Sequence, residues 1–144
     1  IYKDSSNLLI RDFAHSPSKL TASVNATRET FNDNFIIGVY ELHTFSSLDP
    51  NFINQYSGSL DNCDLPIVFY DKKNKKLQDS NSINNKIISN AFNIQNLIII
   101  DNSEDLFSYL MSIEYKKTCL LLMSSGNFGS MNIDKLKSYI SNES

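Results

Sequence analysis

Along the chain, short and nearly unbroken apolar runs alternate with longer stretches in which apolar residues recur at every third or fourth position. The runs are Leu8-Leu9-Ile10, residues 35–42, Leu65-Pro66-Ile67-Val68-Phe69-Tyr70, residues 97–100 and residues 118–123. Continuous runs of this kind are characteristic of strands buried on both faces in a parallel sheet. Helical spacing follows four of the five: Leu20, Val24, Thr27 and Phe31; Ile83, Ile87, Ile88, Ala91 and Phe92; Leu106, Leu110 and Ile113; Ile133, Leu136 and Ile140. Start signals agree with that spacing. Ser16 can cap a helix with Pro17 in its first turn, Asp49-Pro50 opens a short helix within residues 44–61, and Ser103-Glu104-Asp105 supplies a cap with early negative charge. The hydrophilic residues 71–79 read as a loop or exposed hairpin. The pattern is βα repeated about five times, with no internal repeat or long linker. It predicts one α/β domain over residues 1–144, a Rossmann-like three-layer sandwich with a mainly parallel sheet and helices on both faces.

Composition narrows the classes. With 144 residues, 41% of them hydrophobic, the chain can bury one core without staples. A net charge of -3 leaves no basic face for phosphate backbones, so nucleic acid is not an expected partner. No apolar run approaches the roughly 20 residues that cross a bilayer, so no membrane partner is expected either. Cys63 and Cys119 stand singly, without metal-ligand spacing, which suggests neither a disulfide framework nor a metal site and fits a cytoplasmic protein. The sequons at Asn25 and Asn142 carry no weight in so Asn-rich a chain. Because the sequence begins at Ile1 without Met and enters a strand pattern almost at once, it reads as a piece cut from a longer polypeptide.

In such sheets ligands bind beyond the carboxyl ends of the strands, which makes the strand-to-helix junctions the informative places. Three stand out. Asp12-Phe13-Ala14-His15-Ser16-Pro17 offers a carboxylate for ribose hydroxyls or a metal-bound water, and an imidazole for an anionic or amide group. Strand-end and helix-cap duties account for Asp12 and His15 equally. Glu41-Leu42-His43-Thr44-Phe45-Ser46-Ser47 offers a second imidazole and several hydroxyls, or a solvated loop. Residues 124–130 can present backbone N–H groups to a carboxylate or phosphate, or simply supply glycines to a tight turn.

The order of these motifs says more than any one of them. Asp12-Phe13-Ala14-His15-Ser16-Pro17 resembles the Asp-Tyr/Phe-Ala/Gly-His-x-Pro signature that opens the C-terminal domain of Mur ligases. Leu122-Met123-Ser124-Ser125-Gly126-Asn127-Phe128-Gly129 is similar to the Met-Ser-Asn-Gly-Gly-Phe-Gly segment of one branch of that family. That branch joins UDP-N-acetylmuramate to the wall tripeptide L-alanyl-γ-D-glutamyl-meso-diaminopimelate. Phe13-Ala14 and the Gly-Asn-Phe-Gly turn favour it over the L-alanine-adding branch, whose first motif usually reads Tyr-Gly-His-His.

The resemblance implies a three-domain, ATP- and Mg2+-dependent enzyme that forms an amide through an acyl phosphate, of which this chain is the C-terminal domain. The N-terminal and central ATPase domains would be its partners in the same polypeptide. Alone it would bind no cofactor and catalyse nothing. By resemblance, nucleotide contacts fall to Asp12, His15 and Ser16, with His15 also beside the forming bond as the catalytic residue. The peptide substrate falls to His43, Ser46, Ser124, Ser125, Gly126, Asn127 and Phe128. The chain departs from the pattern at Ser16, where relatives often have a second His, and at His43-Thr44, where they often have an arginine.

A free-standing nucleotide or peptide binding module is the alternative from another class, since this fold serves many functions. A response-regulator-like domain ranks last, because Glu41, Asp71 and Asp101 lie at different junctions. The ligase reading requires the first and last junctions to meet at one open rim of the sheet.

Overall fold

The computed structural model describes residues 2–3, 7–43, 50–73 and 84–142. Its strands are β1 (Tyr2–Lys3), β2 (Leu8–Asp12), β3 (Phe35–Glu41), β4 (Leu65–Phe69), β5 (Ile98–Ile100) and β6 (Thr118–Met123). Its helices are α1 (Pro17–Thr30), α2 (Pro50–Ile53), which runs on into a 3-10 turn at Asn54–Tyr56, α3 (Asn85–Phe92), α4 (Ser103–Ser112) and α5 (Ile133–Asn142). The strands form one sheet in the order β1-β2-β6-β3-β4-β5. All neighbours in it are parallel except β1, which pairs antiparallel with β2 at the edge.

The expected α/β sandwich is present, and the period-two alternation of each strand shows how its two faces are covered. Ile36, Tyr40, Cys119, Leu121 and Met123 pack with Leu20 and Val24 of α1, Ile53 of α2, Tyr56, and Ile88, Ala91 and Phe92 of α3. Ile37, Val39, Leu120 and Leu122 point the other way, onto Leu106 and Leu110 of α4 and Leu136 and Ile140 of α5. Helices α1 to α3 therefore cover one face and α4 and α5 the other.

Local signals were honoured with small shifts. Ser16 caps α1, accepting from the Lys19 N–H at 3.4 Å, and Pro17 follows it. The cap of α4 is Asn102 rather than Ser103: the Asn102 side chain accepts from the Asp105 N–H at 2.8 Å, which makes Ser103 the first helical residue. Ile113 lies just past the end of α4, and the buried aromatic there is Tyr115. The edge strand β1 was not expected, since two residues carry no periodicity. Asp49, Ile83 and most of the hydrophilic stretch after Lys73 lie outside the described residues.

Asn7 closes the bottom of the sheet. It is fully buried, donates to the carbonyls of Tyr115 (3.1 Å) and Ile140 (3.5 Å), and accepts from the Thr118 N–H (3.0 Å). A buried amide with its donors and acceptor all matched fixes β2, β6 and α5 against one another.

Cys63 and Cys119 are free and buried. Burial pushes both thiols up from an ordinary 9.0 to about 12. A group that holds its proton more tightly when folded stabilises the fold fully below its unfolded pKa and loses that contribution as pH rises. Stability should therefore decline from about pH 9 towards about pH 12. At neutral pH neither thiol should react with an aromatic disulfide reagent until denaturant is added, because thiolate and access are both lacking. Rapid labelling of the native chain would contradict the packing described. Among the described residues, no helix is long and apolar enough to cross a membrane.

Candidate functional site

The carboxyl ends of β2, β6 and β3 lie side by side, and the turns that leave them form a continuous rim. Asp12 is paired in register with Met123, and Tyr40 with Met123 on the other side. The chain leaves β2 for α1 on one face and leaves β6 for α5 on the other, so a crevice opens between adjacent strands. Parallel sheets bind ligands at crevices of this kind. The first and last junctions meet there, since the Ser124 N–H donates to the Asp12 carbonyl at 3.0 Å.

In the first turn, the Asp12 carboxylate accepts from the Ala14 N–H (2.9 Å) and from the Ser23 hydroxyl of α1 (2.8 Å). These bonds satisfy the strand end, as the plainer reading of Asp12 expected, yet each oxygen keeps a second lone pair and the residue is exposed. His15 is exposed, with Nδ1 2.9 Å from the Phe13 carbonyl. A carbonyl can only accept, so Nδ1 carries the proton and Nε2 of the neutral ring presents its lone pair outward. Ser16 holds α1 through its hydroxyl. A cleft of about 460 Å³ lies along this turn, lined by Asp12, Phe13, His15, Lys19 and Ser23 among others.

The last turn is built on a group the sequence reading passed over, the carboxylate of Glu41. Glu41 closes β3 in phase with Ile37 and Val39, so it points to the α4/α5 face although it is charged, and it is 4% exposed. Its Oε1 accepts from the Ser124 hydroxyl at 2.5 Å and from the Phe128 N–H at 3.0 Å. Ser124 Oγ accepts in turn from the Gly126 N–H at 2.7 Å. Three consecutive residues then adopt left-handed backbone: Phe128 (φ 57), Gly129 (φ 65) and Ser130 (φ 66). Left-handed conformation costs an ordinary residue roughly 1–2 kcal/mol. The Glu41 bond to Phe128 and the bond from the Ser130 N–H to Asn127 Oδ1 (3.1 Å) hold the two non-glycines there.

His43 follows Glu41 and is half exposed, with Nδ1 3.6 Å from Glu41 Oε2, a charge neighbour rather than a hydrogen bond. Its ring lies against Gly126, where an added Cβ would come 3.0 Å from three ring atoms. Glycine at 126 thus lets the two turns close together. Ser125 and Asn127 are exposed, whereas Ser124 and Phe128 are buried, the Phe128 ring packing at 6.2 Å from Phe69. Ser124 and Phe128 build the turn from inside, and Ser125 and Asn127 line its outer surface. Asp12, His15, Ser16, His43 and residues 124–128 therefore share one rim; Ser46 lies outside the described residues. The parity of β3 was the one signal in the sequence that could have marked Glu41.

No family model matches the chain. In sequence it is similar to the UDP-N-acetylmuramate–L-alanine ligase of Sulfurihydrogenibium sp., 27% identical over 135 residues that make up 93% of this chain and 29% of that protein. In structure it resembles the murein peptide ligase of Psychrobacter arcticus, with a TM-score of 0.68 and 17% identity over 99% of this chain and 29% of that one. It also resembles a domain ascribed to a UDP-N-acetylmuramate:L-alanyl-γ-D-glutamyl-meso-diaminopimelate ligase of Haemophilus ducreyi, with a TM-score of 0.63 and 22% identity over 93% of this chain and 92% of that one.

The chain shares the fold of Mur ligase C-terminal domains.

It spans under a third of the curated relatives it matches, 29% and 30% of the first two. The two motif-bearing turns are those that meet at the crevice between β2 and β6.

Proposed function

We propose that this chain is the closing domain of an ATP-dependent ligase that joins UDP-N-acetylmuramate to L-alanyl-γ-D-glutamyl-meso-diaminopimelate. The observation that carries the proposal is the meeting of the two motif turns, with Ser124 bonded to the Asp12 carbonyl at 3.0 Å on an open rim. In this reading the cleft of about 460 Å³ beside α1 receives part of the nucleotide, since its volume falls in the range of small-molecule sites. Asp12 offers its remaining lone pairs to the ribose. Ser16 fixes the start of α1 beneath it. His15 presents Nε2 towards the forming bond, where it can accept a proton from the attacking amine. His43, Ser46 and residues 124–128 seat the incoming peptide.

Closure against the N-terminal and central domains supplies orientation and excludes water, effects worth several kcal/mol in such reactions. Magnesium supplies charge neutralisation when it is bound with the nucleotide. Among the described residues no group of three or more His, Cys, Asp or Glu side chains could hold a metal ion. A cytoplasmic location follows from the nucleotide-linked substrate.

L-alanine as the added group is the second reading, favoured by the names of the curated relatives. Assaying the full-length natural protein with L-alanine and with the tripeptide in parallel separates the two, and product from neither overturns both. In that protein Asp12→Ala should raise KM for ATP about tenfold or more, the worth of a hydrogen bond to a charged group. Unchanged ATP kinetics would remove Asp12 from the nucleotide site.

A further inference from the structure

The chain has two arginines, and they are used differently. Arg28 is committed to the fold, donating to the carbonyls of Asn62, Asn32 and Asn34 and to the Asp64 carboxylate at 2.7 Å. Arg11 is exposed and, among the described residues, makes no hydrogen bond or ion pair. It is paired in register with Leu122 on the parallel neighbour β6, which sets its side chain on the same face as Leu122 and Phe128. Together with Asp12, Phe13 and Ser124 these residues line a pocket of about 150 Å³ at the crevice.

The pocket has an unusual make-up. Its floor is apolar and buried, with Leu122 and Phe128 each 1% exposed, while Phe13 stands at its mouth as an apolar ring 77% exposed. Phe13 and Arg11 are a large apolar surface and a full charge that the described residues leave exposed. A planar guanidinium with five donors and no acceptor recognises a carboxylate or phosphate in bidentate fashion. Size decides between these ligands. About 150 Å³ is well below the roughly 300 Å³ at which drug-sized ligands begin to fit, so a nucleotide is too large and a single amino-acid residue is not.

We propose that Arg11 and the Leu122–Phe128 floor form a subsite for the carboxylate-bearing terminal residue of the peptide substrate. The carboxylate sits on the guanidinium and the aliphatic part lies between the floor and Phe13. The subsite adjoins the turn of residues 124–128 and rests on the ligase reading given above. It adds a reason for that enzyme to distinguish a peptide from free L-alanine, whose carboxylate is too close to its reacting amine to reach both places.

The test uses the full-length natural protein with UDP-N-acetylmuramate, ATP and either the tripeptide or analogues in which each diaminopimelate carboxylate in turn is a carboxamide. Arg11→Gln should raise KM for the tripeptide about tenfold or more, leaving kcat and KM for ATP within about twofold. One carboxamide should cost the wild type a similar factor and cost Arg11→Gln nothing, because the two changes remove the same contact. A tripeptide KM equal in wild type and variant, or a carboxamide penalty that persists in the variant, overturns the subsite while leaving the ligase intact. A rise in KM for every substrate alike would point to Arg11 pairing with a neighbouring domain and also overturns it. Should the wild type form no amide, the ligase reading falls, and the pocket is judged on the 144-residue chain by NMR. The amide resonances of Leu122 and Phe128 should then move on adding the tripeptide to wild type but not to Arg11→Gln. No movement in wild type, or the same movement in both, overturns it.

Discussion

Replacing Glu41 by Ala should destabilise the domain by about 2–4 kcal/mol, because the Ser124 hydroxyl and the Phe128 N–H would both lose their buried acceptor, at about 1–3 kcal/mol each. Urea unfolding of wild type and variant measures this directly. The companion variant Glu41→Gln keeps a carbonyl oxygen where Oε1 accepts those bonds, so it should lose clearly less. In the variant with Ala, amide exchange at Gly126 and Phe128 should accelerate far more than exchange in the centre of the sheet, since the turn is tied down from Glu41 and Ser124. Equal losses for Ala and Gln, or a loss below about 1 kcal/mol, would mean that the turn stands without the carboxylate. For function the consequence is larger than for stability. The left-handed run at residues 128–130 would relax, and with it the surface of Ser125 and Asn127 offered at the rim.

Gly38→Ala is the second large effect. A Cβ built at Gly38 would overlap Cys63 Sγ, closer than non-bonded atoms approach. Gly38 lies in β3, flanked by β6 and β4, so the backbone cannot yield without straining ladders on both sides. Overpacking at such a place costs about 1–3 kcal/mol. Cys63→Ala removes the obstructing sulfur at the expense of some packing of its own. The double variant Gly38→Ala/Cys63→Ala should therefore be more stable than the sum of the single changes by about 1 kcal/mol or more. Strict additivity would show that the clash is relieved elsewhere.

Both effects arise from contacts between distant parts of the sequence, and this bears on what could be read beforehand. Strand and helix positions were legible because they depend on local periodicity: residues 118–123 read as a buried strand from their own composition, and Ser16-Pro17 marked α1 from two residues. The short edge strand β1 was not legible, having too few residues to show a period. The Asn102 cap was displaced by one position because Asn and Ser serve equally well there, and only the backbone geometry chooses. The candidate site was legible in part. Asp12, His15 and residues 124–128 stand out at strand ends, but a lone Glu closing an apolar strand looks like the first polar residue of a loop. Its burial follows from partners 83 and 87 positions along the chain. Arg11 was silent for a similar reason, since its pocket exists only once Leu122 lies beside it.

The sequence by itself determined the class of fold, the approximate place of each element and the two motifs in which it resembles Mur ligases, because apolar period, caps and motif spacing are properties of neighbouring residues. The tertiary structure alone decided that β6 inserts between β2 and β3, and from that insertion the rest of the rim follows. It sets Ser124 against Asp12, draws Glu41 inward beneath the last turn, and opens the pocket under Arg11. Strand order is fixed by how the two faces of the whole sheet are best covered, and no local segment carries that information.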